Sequence, residues 1–350
     1  MLYMSFIATM GIIFNSLPVW SMDSEMKAGN NKDKLFELLN KELSYNYKRF
    51  ADSSFVPYYM NFRVNDVHVF HVSAGMGSLT RSSSDRRIYF VPQIRIGNED
   101  LDNFIDLQNG APSNMNNPPG AVFLPLNYSE SIDGLKEIVR KELDSRYKFA
   151  VRAFEDARSR IALGNISKDT AGAFSKVPII KDYSKPTDYL NYVEDKMEEW
   201  KSRVVLYSRL FMDNKDVVNS TVSVTYEMRR ILFLSTEGTL IAENRPSIIL
   251  NISAYGMADD GMTLPLNRNY FAFEFDDLPS DKELRNEIKS ISAKVSELVN
   301  APVVQPYTAP ALLSGGAAGV FFHEIFGHRI EGQRLKNDND GQTFKHMTGK

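Results

Sequence analysis

The stretch Gly319–Leu335, GVFFHEIFGHRIEGQRL, holds two of the chain's five histidines, with Glu324 directly after His323 and Glu331 three residues after His328. Imidazole and carboxylate are the groups that ligate zinc and that move protons during hydrolysis. In the zinc-peptidase helix signature the histidines are four apart and share one face. Here they are five apart. On an ideal helix His328 lies about 140° around from His323 and about 7.5 Å along it, so a regular helix points the imidazoles apart. One π-type turn, with its i→i+5 closure, returns residue 328 to the side of residue 323. Gly327 is the residue that best tolerates such an irregularity. The spacing therefore predicts a π-type turn or kink within Ile325–Gly327, or a helix that ends near Gly327. On the undistorted wheel Glu324 and Glu331 fall at about 100° and about 80° from His323, between the imidazoles, while Phe322, Phe326 and Ile330 lie opposite and predict a core-facing side.

The run before the histidines, Ser314 to Gly319, offers Ser314 as a helix N-cap and five small residues that let the first turns press against another backbone. The glycines are not a P-loop, because no Lys-Ser/Thr follows them. His68 and His71 are three apart in a strand pattern, hence on opposite faces, and cannot share a metal from one strand. They read as ordinary strand residues. Asp259-Asp260 before Gly261 reads as a turn, since the spaced ligands of a calcium loop are missing. The alternating NYFAFEF run, Asn269 to Phe275, reads as core. With no cysteine in the sequence, any metal within this range is held by His, Asp or Glu.

From Pro310 to Arg334, PALLSGGAAGVFFHEIFGHRIEGQR resembles the metallopeptidase segment of the TldD/PmbA family, whose TldD-type members carry HExxxH after a small-residue run. Upstream, STEGTLIAENRPSIILNISAYGMADDG resembles the strand pair that precedes the family's linking helix, so the likeness is specific over about Ser235–Arg334. It implies an N-terminal α/β domain followed by a C-terminal domain that opens with the metal helix. It also implies that His323 and His328 are metal ligands and that Glu324 is the general base of a zinc peptidase acting on unfolded peptides or small proteins. The family's remaining ligand is a cysteine in the C-terminal domain, whereas this chain has none and ends 22 residues past His328. Truncation within the C-terminal domain is the expectation, which leaves the 1–350 range inactive alone. Glu331 is the best in-range candidate for a third ligand, and His346 a weaker one. The alternative from a different class is a non-catalytic PmbA-like partner subunit or peptide-binding scaffold; those members lack HExxxH. Homo- or hetero-oligomerisation with a family member is implied by the same resemblance.

The elements that must position this helix follow from periodicity. Leu35, Leu38, Leu39 and Leu43 give an amphipathic first helix. Alternation through Met60, Phe62 and Val64, then Val67 and Val69, predicts a hairpin over Tyr58–Ala74 turning at Asn65-Asp66, and RRIYFVPQIRIG continues as strand. A long helix is expected from about Ile132 to Leu163, and a second over LNYVEDKMEEWKSRVVLYSRLF with its cap at Ser184 and Pro186. An antiparallel meander comes next, turning near Glu237-Gly238, then a helix over SDKELRNEIKSISAKVSELVNA, and a short apolar strand from Pro302 to Leu313. The fold class is α+β: an antiparallel or mixed sheet with long helices over residues 30–300, extra helical material at about 130–215, and the start of a metallopeptidase domain over 301–350.

The 350 residues carry 43% hydrophobic content and a net charge of −3 from 41 basic and 44 acidic side chains, which describes a globular chain. No Lys/Arg stripe interleaved with aromatics provides a nucleic-acid footprint. The apolar run from Phe6 to Phe14, followed by Pro18 and Val19-Trp20-Ser21, resembles a signal peptide cut after Ser21, although no Lys or Arg precedes it. Export to a periplasmic or extracellular space is the expectation, with the cytoplasm as the alternative. The run is too short to span a bilayer.

Overall fold

The structure is a computed structural model that describes residues 33–104, 120–163, 172–331, 344 and 347. The proposed signal peptide, most of the Asn/Pro/Gly-rich loop after Leu107, and His346 lie outside the described residues. The elements in chain order are α1 (Lys34–Arg49), β1 (Pro57–Gly75), β2 (Ser78–Ile96), β3 (Val122–Leu124), α2 (Ile132–Ala162), β4 (Lys181–Tyr183), α3 (Leu190–Arg209), β5 (Asn219–Ser235), β6 (Leu240–Met257), β7 (Thr263–Ala272), α4 (Asp281–Val299) and α5 (Gly315–Phe322). The seven strands form one sheet in the order β3-β2-β1-β5-β6-β4, with β7 also paired to β6. All pairings are antiparallel except the short β4–β6 contact. The α+β class expected from the sequence holds.

The expected hairpin within Tyr58–Ala74 is instead one strand of 19 residues. Asp66 does not turn the chain. It stays in register opposite Ile88 and Arg230, and its carboxylate accepts two hydrogen bonds from the Arg86 guanidinium at 2.8 and 2.6 Å. A bidentate pair of this kind satisfies a carboxylate within a sheet. The real turn is at Met76-Gly77, where φ of 46° and 76° at the two central residues gives the tight hairpin geometry whose twist matches the strands.

Because β1 is unbroken, Met60, Phe62, Val64, Phe70, Val72 and Ala74 all project to one face. One core gathers the first three with Leu35, Leu39 and Leu43 of α1 and Leu135, Val139 and Leu143 of α2. The other gathers the last three with α3 and α4, whose buried stripes are Val193, Met197, Trp200, Val204 and Tyr207, and Leu284, Ile288, Ile291 and Val295. These stripes have the 3.6-residue period of helices that bury one side. Between the cores the same face is polar. There Asp66 meets Arg86, Arg230 pairs with Asp33 at 2.5 Å, and His68 hydrogen-bonds Tyr189 Oη and Ser84 Oγ at 3.0 and 2.7 Å. His71, on the opposite face, contacts Thr225 Oγ1 at 2.8 Å. Both are the ordinary strand residues the spacing suggested, and burial lowers both pKa values.

Three further expectations need correction. Helix α3 begins after Tyr189 with no side-chain cap, and Ser184 instead donates its backbone N–H to Ala242 O at the edge of the sheet. No strand forms between Pro302 and Leu313, because the apolar residues there meet no sheet edge: Val303, Tyr307 and Leu312 are exposed. In the NYFAFEF run Ala272 and Phe275 are buried, but Phe271 and Phe273 lie on the face that carries no described helix and are exposed. The Asp259-Asp260 turn holds: Gly261 N–H donates to Ala258 O, with φ of 86°. The linking helix α4 starts at a capping box of Ser280 and Glu283.

The contact of α4 with the sheet depends on Gly256. A Cβ there would come within 2.6 Å of Val299 Cγ2 and 2.8 Å of both Val295 Cγ1 and Asp216 O. Overpacking of this kind costs about 1–3 kcal/mol. Gly256→Ala is therefore expected to lower the unfolding free energy by about that amount in urea denaturation; an unchanged midpoint would mean that the helix yields without cost.

Candidate metal centre

Helix α5 begins after Ser314, whose carbonyl accepts from Ala318 N–H at 2.7 Å, while its side chain makes no capping bond. Ser314 is thus the N-cap by position and not by side-chain chemistry. No atom lies within 4 Å of a Cβ built at Gly315, Gly316 or Gly319, so among the described residues no backbone presses on the small-residue run.

At His323 the α-helical hydrogen bonding gives way to a π-turn over His323–Gly327, succeeded by a tighter 3₁₀ turn over His328–Ile330. The His328 N–H donates to His323 O, the i→i+5 bond that the five-residue spacing required. The imidazoles meet with ring centroids 4.5 Å apart and planes at 71°. Gly327 keeps helical φ and ψ of −53° and −55°, so its freedom is not used for unusual dihedrals. A Cβ there would make only ordinary contacts, 3.9 Å from His323 Nδ1 and 3.8 Å from Phe322 O, so a larger branched side chain is what would reach the His323 ring.

Glu324 stands between the rings, with Oε1 3.9 Å from His323 Nε2 and Oε2 4.0 Å from His328 Nε2. These separations are too long for hydrogen bonds. One ligand atom from each of His323, Glu324 and His328 lies within 4.8 Å of the others, and this is a group able to hold a metal ion. Tetrahedral bonds of about 2.0–2.2 Å place ligand atoms roughly 3.4 Å apart, so the groups need close in by only about an ångström. Neutral imidazoles and a carboxylate form a donor set suited to a divalent transition ion.

Glu331 is placed differently from the sequence expectation. It does not join that cluster, and its Oε1 lies 2.8 Å from the other ring nitrogen of His328, Nδ1. The signal was present in the i,i+3 spacing, which makes side chains neighbours on a helix surface. The expected core-facing side is also corrected. Phe322, Phe326 and Ile330 are 62%, 49% and 54% exposed, with the ring of Phe344 against Phe326 at 5.8 Å and that of Phe321 against Phe322 at 6.1 Å.

A metalloprotease TldD homolog of Buchnera aphidicola subsp. Acyrthosiphon pisum (strain APS) is 32% identical over 139 residues, which is 38% of this chain and 28% of that relative. The name of this relative is that of the TldD/PmbA family that the sequence resembles. No family model matches it. Among solved structures, a proposed modulator of a DNA gyrase from Thermotoga maritima aligns at 11% identity and a TM-score of 0.42, covering 77% of this chain and 49% of that one. TldE from Thermococcus kodakarensis aligns at 11% identity and a TM-score of 0.41, covering 74% and 47%. The chain thus spans about half the length of the solved structures it matches. No described helix is long and apolar enough to cross a membrane.

The place of Gly327 beside the His323 ring gives a test. Gly327→Val places γ-methyl groups against His323 and stiffens the π-turn, so zinc binding measured by chelator competition is expected to weaken tenfold or more while the melting temperature stays unchanged. Gly327→Ala, whose Cβ makes ordinary contacts, is expected to bind as the parent does. Equal zinc affinity in all three proteins would show that the turn does not gather the ligands.

Proposed function

We propose that the chain is the HExxxH-bearing part of a TldD-like metallopeptidase that hydrolyses peptide bonds in unfolded peptides or small proteins. The observation that carries this reading is the π-turn, an irregular backbone that brings two histidines and a glutamate together on a helix otherwise free to be regular. Irregularities of this type concentrate at functional sites. The 32% identity to a protein named a metalloprotease supports the same direction.

In this reading His323 and His328 present neutral ring nitrogens to a zinc ion. The ion, when bound, supplies Lewis-acid charge that acidifies water and polarises a peptide carbonyl. Glu324 takes the proton of the attacking water and passes it to the departing amine, a task for a carboxylate beside the reacting atoms. Two imidazoles and one carboxylate from a single turn leave a tetrahedral set incomplete once Glu324 serves as base. A further ligand then comes from another element. The segment from residue 301 opens the metallopeptidase domain, residues 30–300 form the domain before it, and a peptide substrate, export after cleavage at Ser21, and assembly with a copy or family relative complete the proposal.

In the native protein, Glu324→Gln is expected to retain stoichiometric metal and to lose hydrolysis of an unstructured peptide by at least a hundredfold, in line with removal of a general base. His323→Ala and His328→Ala are expected to lose the metal itself. A Glu324→Gln protein with undiminished turnover would overturn the assignment, and wild-type protein that carries metal but never cleaves would favour a peptide-binding scaffold.

A further inference from the structure

We infer that Glu331 is a positioning residue: its carboxylate fixes His328 as the Nδ1–H tautomer and turns the opposite nitrogen, Nε2, toward Glu324 and His323. The inference rests on the proposed metal site and adds a residue to it. The contact is of hydrogen-bond length at 2.8 Å, whereas the two histidine–Glu324 separations are 3.9 and 4.0 Å. An ionised carboxylate only accepts hydrogen bonds, so the proton of a neutral imidazole facing it must reside on Nδ1. The lone pair is then on Nε2, the nitrogen nearer the converging cluster. Glu331 itself is outside that cluster, which contains His323, Glu324 and His328.

The backbone explains how one residue reaches the far side of the ring. The 3₁₀ turn ends at Ile330, and Glu331 is the first extended residue, with φ of −60° and ψ of 118°. Its side chain can therefore fold back along the turn it has just left. The pair is also the more enclosed half of the site: the side chains of His328 and Glu331 are 33% and 34% exposed, against 63% and 62% for His323 and Glu324. Among the described residues no hydrogen bond holds the His323 ring. Among the described residues, then, His328 is the histidine of the site whose ring has a side-chain partner to set its tautomer and orientation. A carboxylate behind a ligating imidazole raises its basicity and fixes its orientation, and loss of such a partner typically costs 10–100-fold in metal affinity.

The test uses the full chain with ¹⁵N-labelled histidine, free of metal and with neutral imidazoles. The five histidines give few enough signals to assign His328 by comparison with His328→Ala. The expected result is an Nδ1–H tautomer for His328 in the parent, retained in Glu331→Gln because the amide oxygen still accepts, and lost in Glu331→Leu. Zn²⁺ affinity by chelator competition should fall roughly 10–100-fold in Glu331→Leu and less in Glu331→Gln. An unchanged His328 tautomer in Glu331→Leu overturns the inference, as does a Co²⁺ spectrum showing one fewer ligand in both variants, which would make Glu331 a ligand itself. A lowered melting temperature with no change of tautomer would leave only a structural role and also overturns it. The underlying metal reading fails separately, if His323→Ala and His328→Ala bind Zn²⁺ as tightly as the parent, and the metal-free tautomer measurement still decides the role of Glu331.

Discussion

Along β1 the side chains alternate faces without interruption from Met60 to Val72, and the placement of every long helix follows from that constraint. An alternation of period two commits the even-numbered residues of this strand to the same side throughout. Apolar residues at its two ends collect separate helix pairs, α1 with α2 and α3 with α4. The polar middle, Asp66 and His68, keeps the alternation without leaving charge unpaired, because Arg86, Ser84 and Tyr189 come to meet it. A sheet face with a satisfied polar seam carries two cores where a wholly apolar one would merge them. Partly exposed polar contacts of this type add little net stability, and their effect here is to keep the two cores apart.

The second constraint is local. A histidine spacing of five is incompatible with a shared face on an α-helix, and one i→i+5 hydrogen bond removes the incompatibility without breaking the helix. The turn also shapes the residues after it, since the chain tightens into a 3₁₀ turn and then extends at Glu331. Within a few residues the backbone passes through three hydrogen-bonding patterns. Each step places one group: the π-turn sets His328 beside His323, the tight turn ends the helix, and the extension frees Glu331 to fold back.

Much of this was legible in the residues because it rests on local periodicity. The long helix α2 was read within a residue or two of its ends, the β5–β6 turn at Glu237-Gly238 was placed, and the π-turn followed from counting between two histidines. The features that escaped depend on partners distant in sequence. Asn65-Asp66 has the composition of a turn, and only Arg86, brought alongside by the hairpin, makes Asp66 a strand residue. The apolar run from Val303 to Leu313 looks like a strand but finds no edge to pair with. Phe322, Phe326 and Ile330 share a side on the helical wheel, yet burial depends on the groups that lie against that side, and periodicity does not contain them.

The long β1–β2 ribbon has a consequence for how the chain reaches this structure. Its turn closes over two residues, and β5 joins β6 across a similarly short connection with Gly238 at φ of 102°. Each ribbon can zip from its own turn on the microsecond scale of hairpins. The pairing of β1 with β5 is another matter, since even its nearest partners, Ala74 and Val222, are separated by the whole of α2 and α3. Joining the two ribbons therefore costs a large loop-closure entropy before any contact between them offsets it. Until they join, the inner edges of β1 and β5 are open, and the interval between zipping and docking is when this chain is most exposed to pairing with another molecule.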